Sequence, residues 1–190
     1  MYRHFKIYKP YGYLSQFVTN QKTRKNKKML GELYHFPEGT MSIGRLDEDS
    51  EGLLLLTTNG KLSALITGSK VEKEYYVQVD GIITSEAVEK LQEGVDISIN
   101  GKKYQTLPCK ATLLPDPPSF PDRGKKIRDP RHGPTSWISI TLTEGKFRQV
   151  KKMTAAVGFP TLRLVRVRIG EEHLMEMQPG EVIEKEEFSL

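Results

Sequence analysis

Short segments with the residue pattern of β-strands, separated by turn-forming residues, constrain the fold more than any other feature of this sequence. In most of them apolar residues alternate or are β-branched, as is typical of strands. The segments are residues 5–8, 41–45, 53–57, 72–80, 103–107, 110–114, 137–142 and 162–169. Because strands dominate and do not alternate strictly with helices, the sequence predicts an α+β fold with a mixed, mainly antiparallel sheet.

Three short helices are expected to flank this sheet. They are predicted over residues 60–67, 85–92 and about 147–157. In the third, residues suited to burial recur at i, i+3, i+4 and i+7 from Val150, which gives one inward stripe, and Gly158 is the expected end. We expect a single domain over residues 1–190, since this length is ordinary for one hydrophobic core.

Composition excludes several classes of protein. No apolar run exceeds the four leucines at 53–56 and the mean hydropathy is −0.49, whereas a transmembrane helix needs roughly 20 apolar residues. The first residues also lack the apolar core of a signal peptide. The single cysteine, Cys109, excludes an internal disulfide framework and a cysteine-rich zinc site, so we expect a cytoplasmic location.

Positive charge is concentrated in clusters. Lys and Arg number 29 against 24 Asp and Glu, a net charge of +5, and 17 of the 29 fall in residues 22–28, 123–131, 146–152 and 163–168. The first two clusters lie in predicted loops, a basic loop over about 20–28 and a proline-rich basic loop over about 115–135. Either loop alone is explained equally well as a solvated charge run. The four clusters together favour an RNA or DNA partner.

Familiar metal and cofactor patterns are missing from the sequence. The four histidines share no metal-ligand spacing and there is no GxGxxG or Walker-type loop, so we expect neither a metal nor a nucleotide cofactor. Asp47, Asp49 and Glu51 imitate the start of a calcium-binding loop. The imitation fails at the twelfth position, where Thr58 stands in place of a bidentate glutamate, so calcium binding is disfavoured.

Three polar residues have the surroundings of a site, but each also has an ordinary structural explanation. Asp47 lies with Arg45 on a turn between two predicted strands, where an aspartate often only caps the turn. Tyr75 alternates with Val77 and is expected to face inward, where a tyrosine is usually a core residue. Lys151 flanks the apolar stripe of the third helix, as a snorkelling surface lysine also does. The spacing alone leaves both interpretations open.

Four motifs, in this order, resemble those of one enzyme family. They are GRLDEDSEGLLLLTTNG (44–60), KEYYV (73–77), EGKFRQVKKMTAAVG (144–158) and LRLVRVRIG (162–170). Together with the opening KIYKPYG, which is similar to the family's first strand, they resemble the ribosomal pseudouridine synthases related to the small-subunit enzyme A. Most members of that wider family begin with a small RNA-binding domain of the S4 type. Here the first catalytic strand begins by about Phe5, so we expect that module to be absent.

The resemblance implies a role for each matching residue. Asp47 matches the catalytic aspartate, Lys151 the basic residue that pairs with it, and Tyr75 the tyrosine that stacks on the flipped uracil. Arg45 matches the arginine that helps to displace the target base, and Leu164 the apolar residue that closes the base pocket. The resemblance also implies a catalytic cleft across the sheet. Further substrate contacts are expected from three basic residues beside it, Arg148, Lys152 and Arg166.

The implied activity is the isomerisation of a uridine to pseudouridine in large-subunit ribosomal RNA. The base has to be flipped out of its stack before the glycosidic bond is broken and remade at C5. No redox cofactor or metal is implied, because no electrons or groups leave the substrate. We expect a monomer whose basic loops clamp RNA in place of the S4 module. The alternative is a catalytically idle RNA-binding or ribosome-assembly protein on the same scaffold, to which the basic clusters are equally suited.

Overall fold

The structure, a computed structural model, describes residues 1–17 and 27–190. Its strands are β1 (His4–Lys9), β2 (Tyr13–Leu14), β3 (Lys28–Met29), β4 (Met41–Ile43), β5 (Glu51–Thr57), β6 (Lys73–Asp80), β7 (Asp96–Ile99), β8 (Lys102–Gln105), β9 (Lys110–Leu114), β10 (Thr135–Leu142), β11 (Thr161–Ile169), β12 (Glu172–His173) and β13 (Val182–Lys185). The α-helices are α1 (Gly60–Thr67), α2 (Ser85–Glu93) and α3 (Gln149–Ala156). The chain divides into two compact units, the first made of Met1–Val71, Pro121–Lys125 and Arg166–Leu190, and the second of Glu72–Phe120 and Lys126–Val165.

The first unit is built around β5. Its strands are hydrogen-bonded in the order β13-β1-β5-β11, with β4 also paired to β5 and β12 to β11. β1 is antiparallel to β5, with Phe5 opposite Leu56 and Ile7 opposite Leu54. Every residue of β5 is buried, as is expected of a strand that is covered on both faces. The run of four leucines therefore forms the core of this unit.

A buried carboxylate holds the C-terminal part of the first unit. Glu172 Oε1, on β12, lies 3.2 Å from Lys185 Nζ and 3.6 Å from Lys6 Nζ, and Glu172 Oε2 accepts a hydrogen bond from the Ser189 amide at 2.8 Å. Burial alone raises the pKa of Glu172, but the amide and the two ammonium groups outweigh it, so the pKa lies below its usual value. The ionised carboxylate thereby joins β1, β12 and β13.

The second unit is built around β10. Its strands follow the order β11-β6-β10-β9, and both β6 and β9 are antiparallel to β10. β11 contributes residues 161–165 to this unit and 166–169 to the first. β7 and β8 form a separate hairpin whose turn residues, Asn100 and Gly101, have φ of 51° and 76°, as a tight primed turn requires. Helix α2 packs against β9, and α3 against β7.

The predicted fold class, an α+β fold with a mixed, mainly antiparallel sheet, is confirmed. α1 has the predicted bounds, and α2 begins at the predicted Ser85. Thr84 caps it, because Thr84 Oγ1 accepts a hydrogen bond from the Ala87 amide at 3.2 Å. The sequence prediction missed β7, a short and partly polar strand between Gly94 and the turn at Asn100. It also missed β13, which becomes a strand only by pairing with β1.

Side chains anchor those parts of the proline-rich loop, residues 115–135, that belong to the second unit. The Phe120 ring lies 5.9 Å from the Trp137 ring, measured between centroids. Arg128, which is mostly buried, donates a hydrogen bond to Asp80 Oδ1 at 2.7 Å and to two loop carbonyls. The interpretation of this loop as a solvated charge run is therefore wrong for Arg128, because its guanidinium closes the loop onto β6.

Candidate active site

Asp47 lies on the turn between β4 and β5, as the sequence predicts. Its carbonyl accepts a hydrogen bond from the Ser50 amide at 3.0 Å, and Gly44 begins the turn with φ of +70°. Asp47 is half-buried and Arg45 is exposed. The turn therefore holds one carboxylate and one guanidinium close together in the sequence, at the start of a buried strand.

The residues on both sides of Asp47 are hydrogen-bonded to the segment that follows β1. Ser15 Oγ donates to the Leu46 carbonyl at 2.6 Å and accepts from the Leu46 amide at 2.9 Å. On the other side, the Glu48 carbonyl accepts a hydrogen bond from the Gly12 amide at 2.8 Å. Because both of its neighbours are held, the main chain of Asp47 has little freedom to move.

Lys9, the last residue of β1, is 0% exposed. Its Nζ donates to the carbonyls of Pro10 at 2.9 Å, Tyr13 at 2.8 Å and Glu48 at 3.3 Å, so each ammonium proton has an acceptor. Burial lowers the pKa of Lys9 to about 7, although nearby carboxylates, Glu51 and Asp49 foremost, act in the opposite direction. This lysine ties the end of β1 to the turn that carries the aspartate.

Arg166, which the sequence predicts to contact RNA, is buried in the first unit. It is 3% exposed, and its Nε donates to the Leu53 carbonyl at 2.8 Å. Its main chain lies so close to Gly52 that a Cβ on this glycine would come within 2.3 Å of the Arg166 carbonyl oxygen. Arg166 is thus engaged inside the first unit, and its contact with substrate stays a prediction.

Tyr75 faces inward on β6, as the alternation predicts. It is 9% exposed, and Val77 and Val79, which follow at every second position, are fully buried. Tyr75 lies opposite Ile140 of β10. Leu164, in the part of β11 that belongs to the second unit, is also buried. The structure confirms that the tyrosine is inward-facing, and its stacking role stays a prediction.

Helix α3 carries Lys151 at the flank of its buried stripe. Val150, Met153 and Thr154 are buried, whereas Lys151 is half-buried. The helix begins at Gln149, two residues later than predicted. Its N-cap is Arg148, which is exposed and adopts the left-handed conformation with φ of 52° and ψ of 32°.

Hydrogen bonds to Glu144 stabilise the segment that leads into α3. Its carboxylate accepts hydrogen bonds from the Tyr104 hydroxyl, from the Leu107 amide at 2.8 Å and from Gln149 Nε2 at 2.9 Å. Burial alone raises the pKa of Glu144, but these donors outweigh it and hold the pKa below its usual value. Gln149 Oε1 in turn accepts from the Lys146 amide at 3.1 Å. The segment is therefore fixed to the β7–β8 hairpin.

The predicted site residues fall into two groups. The first unit holds Arg45, Asp47 and Arg166, and the second holds Tyr75, Arg148, Lys151, Lys152 and Leu164. Sequence reasoning missed Lys9 and Ser15 as anchors of the Asp47 turn. Lys9 directly follows the apolar pair Ile7 and Tyr8, which is a weak signal of burial, whereas nothing in the sequence marks Ser15.

The basic loop predicted over about 20–28 lies mostly outside the described residues, which resume at Lys27. Lys27 Nζ is 2.7 Å from Glu48 Oε1. Within residues 1–17 and 27–190, no group of three or more His, Cys, Asp or Glu side chains is arranged to hold a metal ion. In the same part of the chain, every helix is too short or too polar to span a membrane.

Comparison with known proteins identifies the family. Residues 3–156 match the family model described as RNA pseudouridylate synthase. The chain is 43% identical to ribosomal large subunit pseudouridine synthase E of Vibrio parahaemolyticus, and the match covers 91% of this chain and 69% of that protein. It is 42% identical to ribosomal large subunit pseudouridine synthase E of Xanthomonas campestris, and that match covers 91% of this chain and 90% of that protein. A crystal structure described as a pseudouridylate synthase matches with a TM-score of 0.75 at 27% identity, over 97% of this chain and 70% of that one. The protein therefore belongs to the RNA pseudouridylate synthase family.

Proposed function

We propose that this protein converts a uridine of large-subunit ribosomal RNA to pseudouridine. The proposal is supported by the 43% and 42% identity to two proteins that are named ribosomal large subunit pseudouridine synthase E. The observation that carries it is the environment of Asp47, the residue that matches the family's catalytic aspartate. Its turn is anchored on one side by Ser15 and on the other by Gly12 and Lys9, as a reacting group that must hold its position requires.

The reaction requires a uracil that has left its stack, and two buried side chains are suited to receive it. A flipped base needs a π-face on which to rest and an apolar wall. In this proposal Tyr75 supplies the face and Leu164 the wall. Both are inward residues of hydrogen-bonded strands, so neither has to be ordered when substrate binds. Arg45 is exposed and in the proposal fills the space that the base leaves.

Asp47 acts in this proposal as the ionised group that attacks the nucleotide or removes a proton from it. A free aspartic acid is ionised at neutral pH, and a lysine nearby favours that charged form. Lys151 has this role. It is half-buried on α3, next to the buried Val150, so its stem is held while its ammonium group can pair with a carboxylate.

RNA binding in this proposal depends mainly on Arg148 and Lys152, because Arg166 is only 3% exposed. Arg148 is exposed at the start of α3 and Lys152 lies one turn further along. Basic side chains at these positions can contact phosphates on either side of the target nucleotide. The protein acts as a monomer in the cytoplasm, where its proposed substrate is found.

Substitution of Asp47 tests the proposal. We expect Asp47→Asn to abolish pseudouridine formation in large-subunit ribosomal RNA while RNA binding is retained, because the amide keeps the shape of the side chain but not its charge. Pseudouridine is mapped in ribosomal RNA from cells that carry the wild-type gene, the variant gene or no gene, and this also gives the target position. Glu38→Gln, at an exposed acid of the first unit outside this turn, is the control and keeps full activity.

The same experiment separates the enzyme from a catalytically idle RNA-binding protein. An idle protein gives identical pseudouridine maps with and without the gene, although it binds RNA. Loss of RNA binding in Asp47→Asn to the same degree as loss of product would indicate a binding residue, and would contradict the role assigned to this carboxylate.

A further inference from the structure

Phe147 is an exposed aromatic residue on the segment that leads into α3. Its exposure of 69% is the highest of the aromatic residues that the structure describes. Single exposed apolar residues are common and by themselves mean little. The surroundings of Phe147 distinguish it from the other exposed apolar residues.

Cations and aromatic rings are interleaved around Phe147. Lys152 Nζ lies 5.2 Å from the centre of the Phe147 ring, and Lys146 Nζ lies 5.0 Å from the centre of the Tyr104 ring. Arg148, the next residue, is exposed. Proteins that bind single-stranded nucleic acid combine these same elements, because an aromatic face stacks on a base while cations contact the phosphates on either side.

The segment that carries Phe147 is held in place before any ligand binds. Glu144 accepts three hydrogen bonds that fix the chain on one side of Phe147, and Gln149 receives the Lys146 amide on the other. Lys152 Nζ donates to the Ser98 carbonyl at 2.7 Å, which fixes the cation beside the ring. A residue whose main chain is already positioned loses less conformational entropy when its ring stacks on a base.

We propose that Phe147 is a stacking platform for an unpaired RNA base, with Lys146, Arg148 and Lys152 contacting the adjacent phosphates. The location of that base next to the target uridine rests on the proposed function, because Lys151 lies only four residues after Phe147. Stacking on single-stranded RNA does not depend on catalysis. The platform thereby helps to determine which uridine is presented to the active site.

Binding of a short single-stranded oligouridylate tests the platform. We expect Phe147→Ala and Phe147→Leu to weaken binding about tenfold, which is about 1.4 kcal/mol and within the range of one base–aromatic stack. Phe147→Tyr keeps the ring and binds as the wild type does. Leucine keeps the apolar surface but lacks a π-face, so wild-type affinity in Phe147→Leu would overturn the proposal. Tyr2→Ala, at an exposed aromatic residue of the first unit, is the matched control and leaves affinity unchanged.

A spectroscopic readout separates stacking from a structural role. The chain has one tryptophan, Trp137, which is buried, so Phe147→Trp adds a second, exposed fluorophore. We expect RNA to quench the added emission, and an oligonucleotide of abasic sites to leave it unquenched. Equal emission with and without the bases contradicts stacking.

The salt dependence of binding separates the ring from the cations. Lys152→Gln is expected to reduce it, whereas Phe147→Leu leaves it unchanged, because of these two residues only Lys152 contacts a phosphate.

Different measurements test the stacking role of Phe147 and the proposed enzymatic activity. The binding and quenching measurements are repeated with Asp47→Asn, in which the proposed chemistry is removed. If the pseudouridine maps are identical with and without the gene, the proposed function fails, and the loss of affinity in Phe147→Leu still decides the platform. If Asp47→Asn is inactive and Phe147→Leu binds normally, only the platform is wrong.

Discussion

The hydroxyl of Ser15 forms two hydrogen bonds with Leu46, the residue that precedes Asp47: it donates to the carbonyl at 2.6 Å and accepts from the amide at 2.9 Å. Both residues are buried, so no solvent replaces either bond. A side chain far from Asp47 in the sequence therefore fixes the position of the proposed catalytic carboxylate.

Ser15→Ala is expected to lower kcat for pseudouridine formation by about tenfold or more, because small displacements of a reacting group are costly. It also leaves a buried amide and carbonyl without their partner, which costs about 1–3 kcal/mol of unfolding free energy. Steady-state kinetics and urea unfolding measure the two effects, with KM unchanged. Ser42→Ala is the control, because Ser42 Oγ contacts the Ser15 carbonyl at 3.2 Å but not Leu46. A loss of stability with normal kcat would refute the positioning role.

The buried Lys9 makes the free energy of unfolding depend on pH. Its pKa is about 7 in the folded protein and 10.5 for an ordinary lysine, so between these values the unfolded chain binds more protons than the folded one. The wild type should therefore gain stability relative to Lys9→Met as the pH rises from 7 towards 10.5. Urea unfolding of both proteins across this range measures the difference. A constant difference would mean that the three carbonyl acceptors keep Lys9 protonated.

Glu172 contributes stability that is lost in acid. Its pKa lies below the ordinary value, so the contribution is present above the pKa of the unfolded chain and disappears as the pH falls through the lower, folded value. We expect Glu172→Gln to cost about 1.5–3 kcal/mol at neutral pH, since its hydrogen bonds are charge-assisted, and to flatten the acid limb of the stability curve. Glu184→Gln, which removes an exposed pair with Arg3, should have a much smaller effect. Equal effects of the two variants would contradict this assignment.

Gly52 should not tolerate a side chain. It has φ of +110°, and a Cβ would lie 2.3 Å from the Arg166 carbonyl oxygen. Gly39 has φ of +84° with open space around it, so Gly39→Ala measures the backbone strain alone, about 1–2 kcal/mol. We expect Gly52→Ala to cost more than about 3 kcal/mol, among the larger effects of single substitutions. Similar unfolding free energies for the two variants would show that β11 can move away from β5.

Local sequence patterns were sufficient for the features that depend on near neighbours. Alternation in β6 was enough to place Tyr75 inward, and the cap at Thr84 and the bounds of α1 follow from residues within one turn. The turn at Asp47 was predicted because strand patterns lie on both sides of it. These features need no knowledge of distant parts of the chain.

Features that depend on distant residues were not predictable. Arg128 and Arg166 look like surface cations in the sequence, and only the folded chain brings Asp80 and the Leu53 carbonyl to them. The role of Ser15 depends on a residue 31 positions away. A polar side chain gives no indication in the sequence of whether its partner is water, RNA or a remote carbonyl.

The pairing of β1 with β13 sets an order of events during synthesis. His4 lies opposite Lys185, so one edge of β1 has no neighbour until almost all of the described chain has left the ribosome. The second unit draws only on residues 72–120 and 126–165 and can be complete by then. A nascent chain in this interval exposes an open strand edge, on which aggregation readily begins. The first unit therefore completes its sheet last, and the open edge of β1 is its exposed part during synthesis.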